Sequence, residues 1–425
     1  MTDSTIMKNR IIKFPRRYIL VIGTFTLSLL LYIDRACISV AKDPIAQTLG
    51  LTDGQMGWVL SIFALGYSLF QTPAGALIDR FGPRRMLTAV VVFWSAFTAL
   101  TGAAWNFISL IVIRFLFGAG EAGAFPGVSR AFFSWIPLKE RGIVQGINFS
   151  GSRLGAAFAL PAIALLIQTV GWRNSFMIQG SVVFIWAIMW YTFFRDLPEK
   201  CKAVTDEEKD YIISYRQKTD GSNTEPMTLK RLLGSGNMWL AMGQYFGSNF
   251  TFFFCLTWLL PHLKSKYNLE IVEAGFFASA PLIFGAFGNW VSGFLVDYIY
   301  KRGNWKMSRR LPAVTGFILV ILGLIGSVYQ QNIAGSIIFL SVAVFGADMT
   351  LSPSWSFCMD IGRRHAGTVS GTMNMAGNLG SFVTALAFPY LKEWTGSVMP
   401  FFFTGAALAL LSIFCWIKMD TTIEI

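Results

Sequence analysis

The chain has 425 residues, 54% of them hydrophobic, 15% aromatic and 14% charged, with a mean hydropathy of +0.53 and a formal net charge of +12. These totals exclude a water-soluble globular protein and point to a polytopic membrane protein. The positive charge forms no contiguous basic face, so nucleic acid is not an expected partner and the lipid bilayer is.

The N-terminus, MTDSTIMKNRIIKFPRRYIL, is basic, and the apolar run after it exceeds 20 residues with no small-residue cleavage site, so it reads as a retained first helix. With about 20 apolar residues per crossing, spans are predicted near 18–40, 56–78, 86–104, 107–130, 143–167, 174–194, 237–262, 273–299, 311–330, 333–355, 367–390 and 398–418. The expected fold class is an all-α membrane protein of twelve transmembrane helices in two pseudo-symmetric six-helix bundles. The long polar stretch divides it into an N-terminal bundle (1–195), a cytoplasmic central loop (196–236) and a C-terminal bundle (237–425). With the N-terminus inside, 26 of the 35 Lys and Arg fall on the cytoplasmic side and five (Lys42, Arg173, Lys264, Lys266, Lys392) on the other, so both termini are expected in the cytoplasm.

The halves repeat each other. GALIDRFGPRR (Gly75 to Arg85) recurs as GFLVDYIYKR (Gly293 to Arg302) at an offset of 218, and RGIVQGINFSGSRLG (Arg141 to Gly155) as AGTVSGTMNMAGNLG (Ala366 to Gly380) at an offset of 225. Parallel repeats place a substrate site near the membrane midplane between them.

The stretch Asn106 to Trp135 is apolar enough to cross a bilayer yet carries Arg114 and Glu121. Positions seven apart lie about 10 Å apart along a helix and within about 20° of one face, so the two point the same way. A charge at membrane depth costs at least ~2.5–3.5 kcal/mol and needs an interior partner or a wet cavity. Asp34 and Arg35 sit at similar depth. An incoming carboxylate that takes the arginine would leave the acid free to bind a proton; the alternative is a structural ion pair locking the helices. Glu121, among Gly, Ala and Phe, suits a proton carrier or an acid hydrogen-bonded to a neighbouring helix. Arg153, also near the midplane, suits a second carboxylate, a phosphate or a more acidic substrate, or a pairing with Glu121 or Asp348. Asp348 reads as an added proton site, a partner for Arg153 or a pair in the cytoplasmic half. Asn374 and Asn378 share one helix face, as do Ser352 and Trp355, and Tyr245 and Asn249 form a similar pair; facing a central cavity such groups would bind substrate hydroxyls, and otherwise they join helices. Asp79, Arg80, Arg84 and Arg85, with Asp297, read as a conformational latch at the cytoplasmic ends, and Arg130 as part of that gate. With no CxxC among five cysteines, no HExxH and no GxSxG, neither a metal, a cofactor nor an enzyme is expected.

Gly75-x-Leu77-x-Asp79-Arg80-x-Gly82-x-Arg84-Arg85 resembles the signature loop of the major facilitator superfamily. YIDRACISVA (Tyr32 to Ala41) and RFLFGAGEAGAFPG (Arg114 to Gly127) resemble its anion:cation symporter branch, which includes bacterial sugar-acid carriers, and TDEEKDYI (Thr205 to Ile212) looks more like the bacterial members. The resemblance implies a bacterial inner-membrane carrier, a monomer, importing a small organic anion together with protons by alternating access. It makes Asp34 and Glu121 the proton carriers and gives Arg35 and Arg114 the substrate charge or the gating. It also places Tyr32, Tyr67, Ser352, Trp355 and Asn374 on the cavity wall. Ser152 stands where some sugar-acid carriers have glutamine, which puts their hydroxyl contacts in question. The competing expectations are exchange of an organophosphate for phosphate and import of aromatic or other carboxylates.

Overall fold

The computed structural model describes residues 14–217, 227–269 and 271–425, and the regular structure of these residues is helical. Lys8, Arg10, Lys13 and Lys218, counted above on the cytoplasmic side, lie outside the described residues.

In the first half the helices are α1 (Arg16–Val40), α2 (Lys42–Leu49), α3 (Asp53–Phe81), α4 (Pro83–Thr101), α5 (Phe107–Glu121), α6 (Ala124–Trp135) and α7 (Arg141–Phe193). Their starts follow local chemistry. The Thr52 side chain accepts from Gln55 N and Asn106 from Ser109 N, each within a reciprocal capping box. Pro83 opens α4, where its missing N–H is no loss. Gly171, at φ +80°, bends α7 into two crossings, a conformation open to glycine at no steric cost.

Polar α8 (Asp206–Tyr215) and α9 (Leu229–Gly234) lead to the second half. It contains α10 (Gly236–Thr257), α11 (Leu259–Tyr267), α12 (Ile271–Lys301), α13 (Trp305–Val328), α14 (Ile333–Met349), α15 (Leu351–Gly362), α16 (Ala366–Thr395) and α17 (Met399–Lys418). Eight helical stretches among the described residues are long and apolar enough to span a membrane, and one of these, Ile333–Thr395, holds two crossings. The other three of the twelve are less apolar for visible reasons. Helix α4 begins with Arg84 and Arg85, the first part of α7 carries Arg141 and Arg153, and α10 carries Gln244, Ser248 and Asn249. Leu69, Phe158, Phe193, Phe276 and Phe294 are exposed on the outer surface, as lipid-facing positions require.

Two predicted spans are broken. Helix α5 stops at Glu121 before α6, and α14 stops at Met349 before α15. Pro126 and Pro353 follow the breaks; a proline has no N–H for the carbonyl four residues back and its ring crowds that carbonyl. The carbonyl freed by Pro353, that of Met349, accepts instead from Ser292 Oγ at 2.5 Å.

Within the first half α7 packs on α1 and α4, and α3 on α5; within the second α14 packs on α12 and α13, and α10 on α16 and α17. The halves meet along two seams, α3 with α16 and α7 with α12. Both seams are glycine-lined. A Cβ on Gly75 would strike Gly367 O, and one on Gly293 would lie 2.7 Å from Gly142 O.

Gly75→Val or Gly293→Val should therefore push its seam open at a cost of roughly 1–3 kcal/mol to the closed arrangement. Thr72 Oγ1 and Thr372 Oγ1 lie 3.1 Å apart across the first seam. Thr72→Cys with Thr372→Cys should react readily with a short thiol cross-linker when the native cysteines are replaced by serine, and adding Gly75→Val should lower the yield.

Candidate functional site

Helix α1 delivers Asp34 and Arg35 to different places, because successive residues on a helix point about 100° apart, while Tyr32, three residues before Arg35, shares its face. Arg35 reaches the end of α5, where its Nε donates to Glu121 Oε1 at 2.7 Å. Asp34 turns to α4 and accepts from Trp94 Nε1 at 2.8 Å and Thr98 Oγ1 at 3.3 Å. The adjacent acid is thus not the partner of the arginine. Tyr32 lies beneath Arg35, its ring 5.0 Å from the guanidinium carbon, with Tyr67 at 4.4 Å and Phe63 at 5.2 Å. These ring faces attract the cation where water is scarce.

Glu121 is fully buried, and its Oε2 has no hydrogen-bond partner among the described residues. Arg114 is also buried; its guanidinium carbon lies 5.2 Å from the centre of the Phe63 ring and 4.7 Å from that of Phe117, and its Nε has no hydrogen-bond partner among the described residues. One helical span thus carries a half-satisfied carboxylate and a guanidinium that makes ring contacts but no hydrogen bond to a described residue. Such groups are costly to bury and are positioned to take new partners.

A second pair joins the halves. Arg153 on α7 holds Asp348 at the end of α14 through two bonds, Nε to Oδ2 at 2.7 Å and Nη2 to Oδ1, and its guanidinium carbon lies 3.5 Å from the centre of the Phe252 ring. The parallel fork is the strong geometry for an arginine and a carboxylate.

Around these groups is a central cavity of about 40 Å³. Of the predicted substrate residues, Tyr32, Arg35, Tyr67, Arg153, Trp355, Asn374 and Asn378 line it. Trp355 Nε1 donates to Tyr245 Oη at 2.9 Å, and Asn374 Nδ2 to Tyr67 Oη at 3.4 Å. Arg114, Asp34 and Glu121 stand behind the wall, Glu121 touching it through Arg35. Ser152 and Ser352 are fully buried away from the lining, and Ser352 Oγ packs at the α7–α12 seam beside Gly146. The wall also includes Phe125, Phe149, Ser248, Phe252, Phe253, Asp348 and Leu351. The aromatic members were hidden in the sequence because a phenylalanine facing a cavity looks like one facing lipid. Asp348 did carry a signal. It stands five residues before Pro353, as Glu121 does before Pro126, at a common offset of 227.

The residues that the sequence reads as a latch separate into two groups. Asp79 accepts from Gly367 N at 3.0 Å, Thr368 N at 2.7 Å and Thr368 Oγ1 at 2.6 Å, at the start of α16. Asp297 accepts from Gly142 N at 2.7 Å and Ile143 N at 2.9 Å, at the start of α7. Each carboxylate from one half caps a helix of the other, where unpaired N–H groups and the helix dipole favour negative charge. Arg130 joins this end with Nε 3.6 Å from Asp79 Oδ1. Arg80, Arg84 and Arg85 stay out of the caps. The Arg84 guanidinium donates to Tyr191 O and its N–H to Asp196, while Arg80 and Arg85 are exposed. A further buried network at this end was not anticipated: Asp360 accepts from Arg141 at 2.6 Å, Arg309 at 2.9 Å and Trp305 at 2.9 Å.

Asparagine cannot accept two N–H bonds with both side-chain atoms, so Asp79→Asn should loosen the cap by about 1.5–3 kcal/mol, the worth of a charged hydrogen bond. Labelling of Thr72→Cys by a membrane-impermeant maleimide, applied from the side bearing Asp79, should rise several-fold. Arg85→Gln, in the exposed part of the loop, should change it little.

A family model, the Major Facilitator Superfamily, matches residues 24–385. A probable sulfoacetate transporter of Cupriavidus necator is 36% identical over 388 residues, 90% of each chain. A probable galactarate/D-glucarate transporter of Escherichia coli K12 is 30% identical over 422 residues, 94% of each chain. Among solved structures, the proton:xylose symporter XylE bound to 6-bromo-6-deoxy-D-glucose shares the fold with a TM-score of 0.76 at 14% identity, over 95% of this chain and 96% of that one.

Proposed function

The chain belongs to the Major Facilitator Superfamily, a multi-pass membrane transporter and not an enzyme, and on that premise we propose that it imports a small organic anion, such as a sugar acid, together with protons by alternating access. The observation that carries this reading is the Arg35–Glu121 pair, 2.7 Å long, with the arginine on the cavity wall and the acid sealed behind it. The relatives named for sulfoacetate and for galactarate and glucarate handle small organic acids, which supports the anion.

The charge balance then gives the coupling. Arg35, Arg114 and Arg153 stand against Asp34, Glu121 and Asp348, three positive against three negative. Adding an anion to this balanced set leaves an excess charge out of water, which is expensive unless a proton accompanies it. An arriving carboxylate takes Arg35, Glu121 loses its counter-ion, and the acid neutralises by binding a proton. Asp34, held by Trp94 and Thr98 close to the same site, is the second proton carrier. Arg114 supports substrate charge from behind Phe63.

In this reading the N-terminal bundle (1–195), central loop (196–236) and C-terminal bundle (237–425) are those of the sequence, with both termini in the cytoplasm of a bacterial cell and the chain acting as a monomer. The Asp79 and Asp297 caps then close the cytoplasmic side. A cavity of about 40 Å³ holds only a few waters, so the solute enters by parting of the bundles at the other end.

The test is uptake into proteoliposomes of sugar acids, short sulfonated and dicarboxylic acids, aromatic acids and phosphates, with and without an imposed pH gradient. Glu121→Gln should abolish gradient-driven accumulation while counterflow exchange persists; equal loss of both would overturn the proton role. Arg35→Gln should weaken anion binding by roughly ten- to a hundredfold, the equivalent of one lost charged hydrogen bond of about 1.5–3 kcal/mol.

A further inference from the structure

Glu121 and Asp348 are counterparts. Each closes a helix segment at a break, each precedes a proline by five residues, and the two sites lie 227 residues apart. Each holds an arginine from another helix, Arg35 on α1 and Arg153 on α7, and both arginines line the same cavity. The arginines themselves are not repeats. At the offset of 225 that relates α7 to α16, the position matching Arg153 is Asn378, which also lines the cavity. The first bundle therefore carries an additional cation where the second has an amide.

That cation is fixed and only partly used. Asp348 takes the N–H of Nε and one of Nη2, the Tyr32 hydroxyl takes another, and the Phe252 ring lies 3.5 Å from the guanidinium carbon; of five N–H donors two remain for a ligand. A planar, preoriented fork binds an acid group in two contacts at little entropic cost. Tyr32 links the two arginines: its ring lies 5.0 Å from the Arg35 guanidinium and its hydroxyl neighbours Arg153. Among the described residues that line the cavity, Arg35 and Arg153 are the two cations, and its volume of about 40 Å³ favours a short solute between them over a long one.

We propose that Arg153, held in place by Asp348 and Phe252, is a second anion subsite beside Arg35, and that the preferred solute is a short dianion with an acid group at each end. This rests on the organic-anion transport proposed above. Removing one member of a buried ion pair strands the other, so the main test replaces both at once, Arg153→Gln with Asp348→Asn, leaving a neutral amide pair.

Wild-type protein in proteoliposomes should take up sulfoacetate and succinate at least about tenfold better, in initial rate over Kd, than butyrate and galactonate, equivalent to one good contact. In the double variant that ratio should fall toward one. Arg153→Lys, which keeps the charge and loses the fork, should give an intermediate ratio and carries the test if the double variant does not fold. An unchanged ratio in whichever variant is folded overturns the subsite. Wild-type preference for galactonate over both dianions overturns the dianion inference while leaving organic-anion transport standing. Gradient-driven uptake of none of the tested acids overturns both.

Discussion

A charge buried at membrane depth has to be neutralised by something within reach, and the central architecture follows from that requirement. The arginines on the cavity wall are held by acids at helix ends, Arg35 by Glu121 and Arg153 by Asp348. The helix ends are themselves consequences of Pro126 and Pro353, which stop two spans halfway across the bilayer. Broken backbone at such depth is tolerated only inside protein, and it is inside protein here: Glu121 and Asp348 are buried, and the freed carbonyl of Met349 is satisfied by Ser292. Proline, break, acid and arginine therefore form one linked device, present twice.

The same duplication operates at the closed end, with the partners exchanged. Asp79 lies in the first copy of the signature loop and caps α16, which belongs to the second copy of the glycine motif; Asp297 lies in the second copy of the loop and caps α7, in the first copy of the motif. Glycines at 75, 142, 293 and 367 bring the backbones close enough for a short aspartate side chain to reach the first N–H groups of the opposing helix. Replacing any of these glycines would separate the helix from its cap.

Much of this was legible in the sequence. Hydropathy located the spans, and the two offsets paired Gly75 with Gly293 and Gly142 with Gly367. Pairings between helices were not legible. Arg35 lies next to Asp34 in the chain, yet the 100° step between them sends one toward Glu121 and the other toward Trp94. Proximity in sequence was a poor guide because a helix turns neighbours apart. The signature loop was visible as a motif of carboxylates and arginines, Asp79, Arg80, Arg84, Arg85 and Asp297, which suggests salt bridges. Its bonds go from carboxylate to backbone N–H, and such donors are present at every position and leave no mark in the sequence. Ser352 was placed on the cavity wall by analogy, and it packs between helices instead.

The choice of bond also bears on how such a gate can work. Two caps formed by carboxylate-to-amide hydrogen bonds, each bond worth about 1.5–3 kcal/mol once competition with water is counted, hold the end closed by an amount of the same order as the binding energy of one small solute. An interlocked aromatic seam could not be undone by so little, because burying a single large side chain already contributes about 1.5–3 kcal/mol and many would have to separate together. Glycine seams contribute little of that kind, so the polar bonds that join the halves at this end are concentrated in Asp79, Asp297 and the Asp360 network, and in the proposed cycle water replaces each lost partner when the end opens. A cavity wall whose charges are already paired has a matching property: in the proposed transport cycle, a solute that exchanges partners with Glu121 or joins Arg153 shifts the balance by one or two bonds, which is the scale on which the caps can respond.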